Sequence, residues 1–140
     1  MALFGPKSPP EPTVAAETSV DLVEEGLVQV RFSGELDGAL VTRAIEKLRV
    51  LVKGRRLRVF LIDGMGIAKV DMSMRAPSLE FLALMKSSGA TSGFVSTSSS
   101  VVRLVATTLG VASGTRIELL ATTELAMKRA QAVLKGVKAG

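Results

Sequence analysis

The side chains that could do chemistry in this chain are restricted to Asp, Glu, Lys, Arg, Ser and Thr. Its 140 residues include no His and no Cys. A disulfide framework, a Cys and His zinc site, a Ser-His-Asp triad and a Cys-His dyad are therefore all excluded. The composition favours a binding or interaction module over an enzyme, and it predicts neither a metal nor a cofactor.

Three aspartates are the remaining candidates for an active site. Asp37 precedes the first predicted helix, Asp63 ends a predicted strand and Asp71 precedes the second predicted helix. If they cluster, such carboxylates can hold Mg²⁺ or transfer protons. No nucleophile or cofactor motif accompanies them, which makes an enzyme the weakest hypothesis. The segment Gly64-Met65-Gly66 lacks the further glycines and the Lys-Ser/Thr pair of a nucleotide-binding phosphate loop.

The positive charge is concentrated in one stretch. The net charge is +5, and residues 43–58 hold seven basic groups against one acidic group. Such a patch could contact phosphate, an anionic membrane or an acidic protein face, or it could be an ordinary solvated helix face. No aromatic residue accompanies it for base stacking, so nucleic acid is not an expected partner. The patch comprises Arg43, Lys47, Arg49, Lys53, Arg55, Arg56 and Arg58.

Alternating strand and helix patterns must position these groups. Asp37 precedes the first helical pattern, where its carboxylate is expected to be the N-cap. The order β-β-α-β-α-β-α-β-α predicts a single α/β domain, with a mixed sheet of four or five strands and helices mainly on one face. The predicted strands are 19–24, 27–32, 57–63, 92–96 and 115–121, with a loop at 64–69; the predicted helices are 38–53, 77–86, 101–109 (closed by Gly110) and 123–134.

Both ends of the chain lie outside this pattern. Residues 1–17 contain four of the five prolines and few large apolar groups, which predicts a disordered arm. The domain is expected at 18–136, followed by a frayed basic tail at 137–140. The sequence shows no secretory signal and no apolar run of membrane-spanning length, so a cytoplasmic protein is the expectation.

Short motifs occur at the joints of the predicted elements. The sequence Gly-Glu-Leu-Asp at 34–37 joins the second strand to the first helix, Leu-Ile-Asp at 61–63 ends the central strand, and Val-Asp-Met-Ser at 70–73 precedes the second helix. With Gly89 and the segment at 101–110, this ordered set resembles the STAS domain family of bacterial anti-sigma factor antagonists. The resemblance covers about residues 19–134.

The resemblance implies a regulatory, non-catalytic role in partner switching. The family has a second box, which corresponds to Val-Asp-Met-Ser at 70–73 here. In that family, the first Ser or Thr after the Asp of the second box is phosphorylated by a partner kinase, often itself an anti-sigma factor. A phosphate there adds about −2 charge at a helix start and opposes binding. The first box of the family corresponds to Gly-Glu-Leu-Asp at 34–37 here, so Asp37 is by position the Asp of that box. The implied partner is an anti-sigma or serine kinase-like protein, or another STAS-containing protein.

The chain departs from the family at the residue that would be phosphorylated. Met72 follows Asp71 and has no hydroxyl, while Ser73 takes the second position. Three interpretations remain open: the switch is lost and binding is constitutive or regulated by another chain, Ser73 has become the phosphoacceptor, or the loop serves a different partner. The candidate partner-binding residues are Asp37, Asp71, Met72, Ser73 and Arg75.

Two further details follow from this box. Met74 replaces its glycine, and of the flexible pair Met72 and Met74 one is expected to be buried. Pro77 is expected to delay the start of the helix by three or four residues, because proline belongs in a first turn.

Two alternatives concern other surfaces. A STAS-type ligand-binding or transporter-accessory subunit would use the basic patch against a nucleotide, a lipid or a membrane. Separately, apolar residues crowd the helix at 77–86 almost all round, which indicates either burial in the core or a homodimer through this helix.

Overall fold

A computed structural model describes residues 15–136. The segments 1–14 and 137–140, which hold most of the predicted disordered arm and the predicted basic tail, lie outside the described residues. Glu17, predicted to end the arm, is already the first residue of a strand.

Within residues 15–136, five strands and four α-helices alternate in the predicted order, which confirms the α/β fold. A single 3-10 turn precedes the second helix. The elements are β1 Glu17–Glu24, β2 Leu27–Leu36, α1 Gly38–Val52, β3 Val59–Val70, the 3-10 turn Met72–Met74, α2 Arg75–Ser87, β4 Ser92–Ser96, α3 Ser100–Ser113, β5 Arg116–Leu120 and α4 Thr123–Leu134. None of these helices is long and apolar enough to span a bilayer.

The strands form one mixed sheet in the order β1-β2-β3-β4-β5. β1 and β2 are an antiparallel hairpin, and every later neighbour is parallel. Each parallel pair is joined by a helix, as a crossover between parallel strands requires. The carboxyl ends of β2, β3 and β4 therefore lie at one edge of the sheet, where the motif residues follow them.

The helices lie mainly on one face, as the sequence predicts. Apolar residues of α1, α2 and α3 pack with Val28, Val30 and Phe60 into the main core. On the other face, α4 covers a smaller cluster that includes Val59 and Leu61. Because adjacent residues of β3 enter opposite clusters, the strand is buried on both faces, which explains its nearly continuous apolar sequence.

The predicted loop at 64–69 is wrong, because β3 continues through it. β2 is also longer than predicted, so it offers hydrogen-bonding partners to this segment: Ser33 pairs with Gly66, and Leu36 pairs with Val70. A Cβ on Gly66 would lie 3.0 Å from the Ser33 Cβ. The glycine thus permits a close approach of two strands, where sequence alone indicates a turn.

Two helix ends also differ from prediction. α3 continues past Gly110 and ends at Gly114, whose φ of 69° suits a left-handed cap. Gly110 lies inside the helix, and a Cβ on this residue would lie 3.1 Å from the Thr115 carbonyl oxygen.

α2 begins at Arg75, two residues before the predicted start, and the 3-10 turn fills the three residues after Asp71. Pro77 is within the first helical turn, where no intrahelical N–H bond is lost.

Candidate functional site

Asp37 and Asp71 lie side by side at the carboxyl ends of β2 and β3. The pairing of Leu36 with Val70 brings them together, and the Asp71 amide donates to the Leu36 carbonyl at 2.9 Å. Asp37 is the N-cap of α1, as predicted, because its Oδ1 accepts from the Leu40 amide at 2.9 Å. Asp71 caps the 3-10 turn in the same way, since its Oδ2 accepts from the Ser73 amide at 3.0 Å.

Ser73 joins the two boxes directly. Its hydroxyl oxygen accepts a hydrogen bond from the Gly38 amide at 3.0 Å. A Cβ on Gly38 would lie 2.7 Å from the Ser73 carbonyl oxygen, so the 3-10 turn rests directly on the first turn of α1. Residues 35 positions apart in sequence therefore form one site.

Asp71 is held in its ionised form. Hydrogen bonds from the Ser73 hydroxyl and amide lower its pKa, and the positive charge of Lys69 lowers it further. A carboxylate that accepts such bonds is stabilised relative to the neutral acid. The site consequently presents the negative charge of Asp71 beside Ser73.

The methionines of the box point in different directions. Met72 is 67% exposed, whereas Met74 is only 3% exposed and belongs to the main core. The expectation that one of the pair is buried is therefore confirmed. Arg75 is exposed at the start of α2. The site thus offers an unusually exposed apolar side chain with charged groups on either side.

The hypothetical carboxylate cluster does not form. Asp63 is buried away from the other two aspartates: its Oδ2 accepts from the Arg31 Nε at 3.1 Å and its Oδ1 from the Met65 amide at 3.1 Å. Within residues 15–136, no three Asp or Glu side chains come close enough to hold a metal ion. Asp63 takes a structural ion pair instead, because alternation in β3 points it to the face opposite Ile62.

An apolar surface on α3 escaped the sequence reasoning. Val101, Leu104 and Val111 are 56%, 68% and 82% exposed, although residues of this size are usually buried. A groove beside Val101 is also lined by Ile67 and Val70, next to the box. The sequence signal for this surface is the spacing of Val101, Leu104 and Val111, which follow one another by three and seven residues. Residues at such spacing share one face of a helix, and this face lies beside the one that packs into the core.

The predicted basic patch divides among different neighbours. Arg43 and Lys47 donate to backbone carbonyls at the start of β1, Arg49 pairs with Glu80 of α2 at 2.9 Å, and Arg58 donates to the Leu134 carbonyl at the end of α4. Lys53, Arg55 and Arg56 are exposed around the turn after α1. Four of the seven cations thus bond to three different parts of the molecule, and the other three are exposed to solvent.

The apolar residues of α2 pack into the main core. Phe81, Leu82 and Met85 are buried in the main cluster, and Leu79 and Leu84 pack against it. Burial thus accounts for the apolar residues on nearly all sides of this helix, which leaves little of its apolar surface for a homodimer.

Comparison with known proteins identifies similar folds. No family model and no curated protein sequence matches this chain. A protein of the DUF3478 family with a SpoIIAA-like fold, from Shewanella loihica PV-4, superimposes with a TM-score of 0.66 at 9% identity, over 90% of this chain and 99% of that one.

Two similar structures are anti-sigma factor antagonists. SpoIIAA in its unphosphorylated form has a TM-score of 0.60 at 20% identity, over 81% of this chain and 97% of its own. An antagonist from Mycobacterium paratuberculosis has a TM-score of 0.55 at 17% identity, over 84% and 95% respectively. Likeness at such low identity concerns the fold, and this chain has the SpoIIAA-like α/β fold.

Proposed function

We propose that this chain is a non-catalytic regulatory module that binds another protein, in the manner of anti-sigma factor antagonists. Its binding surface comprises Asp37, Asp71, Met72, Ser73 and Arg75, and the partner is an anti-sigma or serine kinase-like protein, or another STAS-containing protein. The fold shared with SpoIIAA supports the general role. The observation that carries the proposal is the exposed side chain of Met72: it is 67% exposed on a turn that Asp71 caps and that the hydrogen bond between Ser73 and Gly38 joins to α1.

An apolar side chain on an ordered backbone turn is a suitable anchor for a protein interface. Binding then costs little conformational entropy in the backbone, because caps already order the turn. Methionine adapts its shape to a partner and contributes apolar area. Val101 and Leu104 on α3 are exposed as well, and a groove lined by Val70 and Val101 joins α3 to the end of β3, so a partner could also cover this apolar surface.

The phosphorylation switch is, in our proposal, lost. Met72 has no acceptor oxygen, and the Ser73 hydroxyl is already engaged with the Gly38 amide. A phosphate on Ser73 would bring about −2 charge beside Asp71, whose pKa is already lowered. Like-charge repulsion opposes that modification, so constitutive binding is favoured over a switch moved to Ser73.

The transporter-accessory alternative receives less support. It needs the basic patch to act as one surface against a nucleotide, a lipid or a membrane. Four of its seven cations instead bond separately to the start of β1, to α2 and to α4, while Lys53, Arg55 and Arg56 are exposed around the turn after α1. Binding of the protein to anionic vesicles in a sedimentation assay, if it weakens as the salt concentration rises, would support this alternative.

An affinity capture with the full chain tests the proposal. Met72→Lys and Asp71→Lys should each abolish retention of a kinase-like, anti-sigma or STAS-containing partner. Met65→Lys is the matched control, because Met65 is also exposed, at 42%, but lies in β3 outside the site. Recovery of no such partner, or equal loss with Met65→Lys, would contradict the proposal.

Intact mass and site mapping test the state of the switch. Co-expression with candidate serine kinases should leave the mass of the chain unchanged. A phosphate mapped to Ser73 would refute the lost switch and make this serine the phosphoacceptor.

A further inference from the structure

The last strand of the sheet has an open edge. Among residues 15–136, β5 pairs with β4 and with no other strand. The Arg116 amide donates to the Thr91 carbonyl at 3.2 Å, so Arg116 points its backbone groups toward β4. Because this direction alternates along a strand, Ile117 and Leu119 point theirs outward, where the described part of the chain offers them no partner.

The opposite edge of the sheet is partly covered. Lys47 donates from Nζ to the Thr18 carbonyl at 2.8 Å, and Arg43 donates from Nη2 to the Ala16 carbonyl at 3.4 Å. Side chains of α1 therefore occupy backbone carbonyls at the start of β1 and hinder the addition of another strand there. At β5, the side-chain hydrogen bonds within residues 15–136 involve only the carboxylate of Glu118, which leaves the outward backbone groups free.

The charged side chains of β5 are complementary to a second copy of the same strand. Arg116 is exposed and forms no ion pair within the described range. Glu118, two residues later and on the same face, binds Arg129 through both oxygens at 3.0 and 2.9 Å, and its side chain is still 41% exposed. A carboxylate has lone pairs for a further guanidinium. An antiparallel second β5 centred on Ile117 would place Arg116 of each copy opposite Glu118 of the other.

The backbone groups fit the same register. Antiparallel strands alternate hydrogen-bonded pairs with pairs whose side chains lie closer together. Ile117, whose backbone groups point outward, would be hydrogen-bonded to its own copy, and Arg116 and Glu118 would form the closer pair. A register centred on Glu118 would instead place two glutamates opposite each other, and like charges in that position are destabilising. The charges thus select the register centred on Ile117.

The helix above β5 leaves room for a second copy. A Cβ on Gly110 would lie 3.2 Å from the Ile117 Cδ1, so the glycine allows α3 to lie close on β5. The neighbouring Thr107 and Val111 are exposed, Val111 to 82%. The two-fold axis of such a strand pair is perpendicular to the sheet, so the second α3 would lie alongside on the same face and cover part of this surface. Arg103, the only charged residue of α3, is two turns from Gly110, and its two copies would be at opposite ends of the contact.

We propose that this chain forms a symmetric homodimer through the β5 edge, with the two β5 strands antiparallel and centred on Ile117. Two five-stranded sheets then become one continuous sheet. Asp71 and Met72 follow β3, which is separated from β5 by β4. Both copies therefore keep the proposed partner site accessible, and the dimer does not rest on the proposed function.

Sedimentation velocity of the full chain over micromolar to millimolar concentrations tests the dimer. The Kd should be on the order of 100 µM, because the paired strands are short. Hydrogen exchange of the Ile117 amide should slow as the concentration rises, whereas the Glu118 amide, which points toward β4, should be unaffected. A monomer at millimolar concentration, or association without slower exchange at Ile117, would overturn the proposal.

Charge variants test the register. Arg116→Glu should weaken dimerisation about tenfold, because two attractive pairs become repulsive. Lys53→Glu makes the same change of charge at an exposed position in the turn after α1, and its Kd should equal that of the unmodified chain. Equal weakening in both variants would refute the assigned contact. Circular dichroism of each variant establishes that it is folded.

Reversal of the whole ion-pair network is the decisive variant. Glu118→Arg with Arg129→Glu inverts the pair within each chain but places two arginines opposite each other between the copies, so the dimer should weaken. Addition of Arg116→Glu should restore it. Failure to restore the dimer would refute the register centred on Ile117. None of these results depends on partner capture, so this proposal and the proposed function can fail separately.

Discussion

The Ser73 hydroxyl oxygen accepts a hydrogen bond from the Gly38 amide at 3.0 Å, and this bond fastens the turn that carries Met72 to the beginning of α1. Gly38 is the first residue of α1, where a backbone amide has no partner within the helix. The Ser73 side chain therefore accepts a hydrogen bond from a helix amide that would otherwise have no partner among residues 15–136.

Ser73→Ala should destabilise the fold by about 0.5–1.5 kcal/mol, because it removes a hydrogen-bond acceptor from an amide that water can still reach. Urea unfolding at neutral pH measures the change. Ser87→Ala is a suitable control, since the Ser87 hydroxyl donates to the Leu84 carbonyl, which Ser88 also contacts. A loss no larger for Ser73→Ala than for Ser87→Ala would argue against a fastening role.

Asp71 should titrate below its ordinary value of 3.8, because the Ser73 hydroxyl and amide both favour its charged form, as does Lys69. A pKa lowered in the folded state stabilises the protein above the pKa of the unfolded chain. That contribution is lost as the pH falls through the lower, folded-state pKa. Carboxyl NMR titration should show the pKa of Asp71 rising in Ser73→Ala, and rising less in Lys69→Met. The reverse order would assign the shift to the charge of Lys69.

Gly38→Ala should destabilise the protein by about 1–2 kcal/mol, since the new Cβ would lie 2.7 Å from the Ser73 carbonyl oxygen and displace the turn. Helix propensity alone predicts the opposite sign, because alanine is the better helix former. The same substitution should abolish partner capture by moving Met72. Ala39→Gly tests this reasoning from the neighbouring position: it should cost up to about 1 kcal/mol through propensity and retain capture.

Val95→Ile should stabilise the fold by about 0.5–1 kcal/mol. Val95 lines an apolar cavity of about 70 Å³ between the sheet and the helices α1, α2 and α3, and one added methylene buries apolar surface without crowding. Thermal or urea unfolding measures the gain. Val50→Ile adds the same group at a position that is 78% exposed, and its stability should not change. Destabilisation by Val95→Ile would mean that the cavity is closed in solution.

The caps were predictable from sequence because they are local. Asp37 accepts from an amide three residues later, and Asp71 from an amide two residues later. Such bonds require only the right residue type at the right spacing. The predicted strand at 92–96 is correct to the residue, since a short apolar run between polar turns has few other interpretations.

The errors arose where a distant residue decides the local structure. Residues 64–69 form a strand because β2 continues beside them. Gly110 lies inside α3 and not at its end, where a Cβ would come within 3.1 Å of the Thr115 carbonyl oxygen. Four of the seven basic residues of 43–58 separate because their acceptors belong to the start of β1, to α2 and to α4.

By itself, then, the sequence determined the order of strands and helices, the capping role of Asp37 and the absence of His and Cys, because these depend on residue type and short spacing. Only the tertiary structure decided that Ser73 contacts Gly38, that Met72 rather than Met74 is exposed, and that Thr18 is buried beside Lys47. Contacts between residues far apart in the chain depend on strand register and on how the helices pack against the sheet, and neither is written in any one segment.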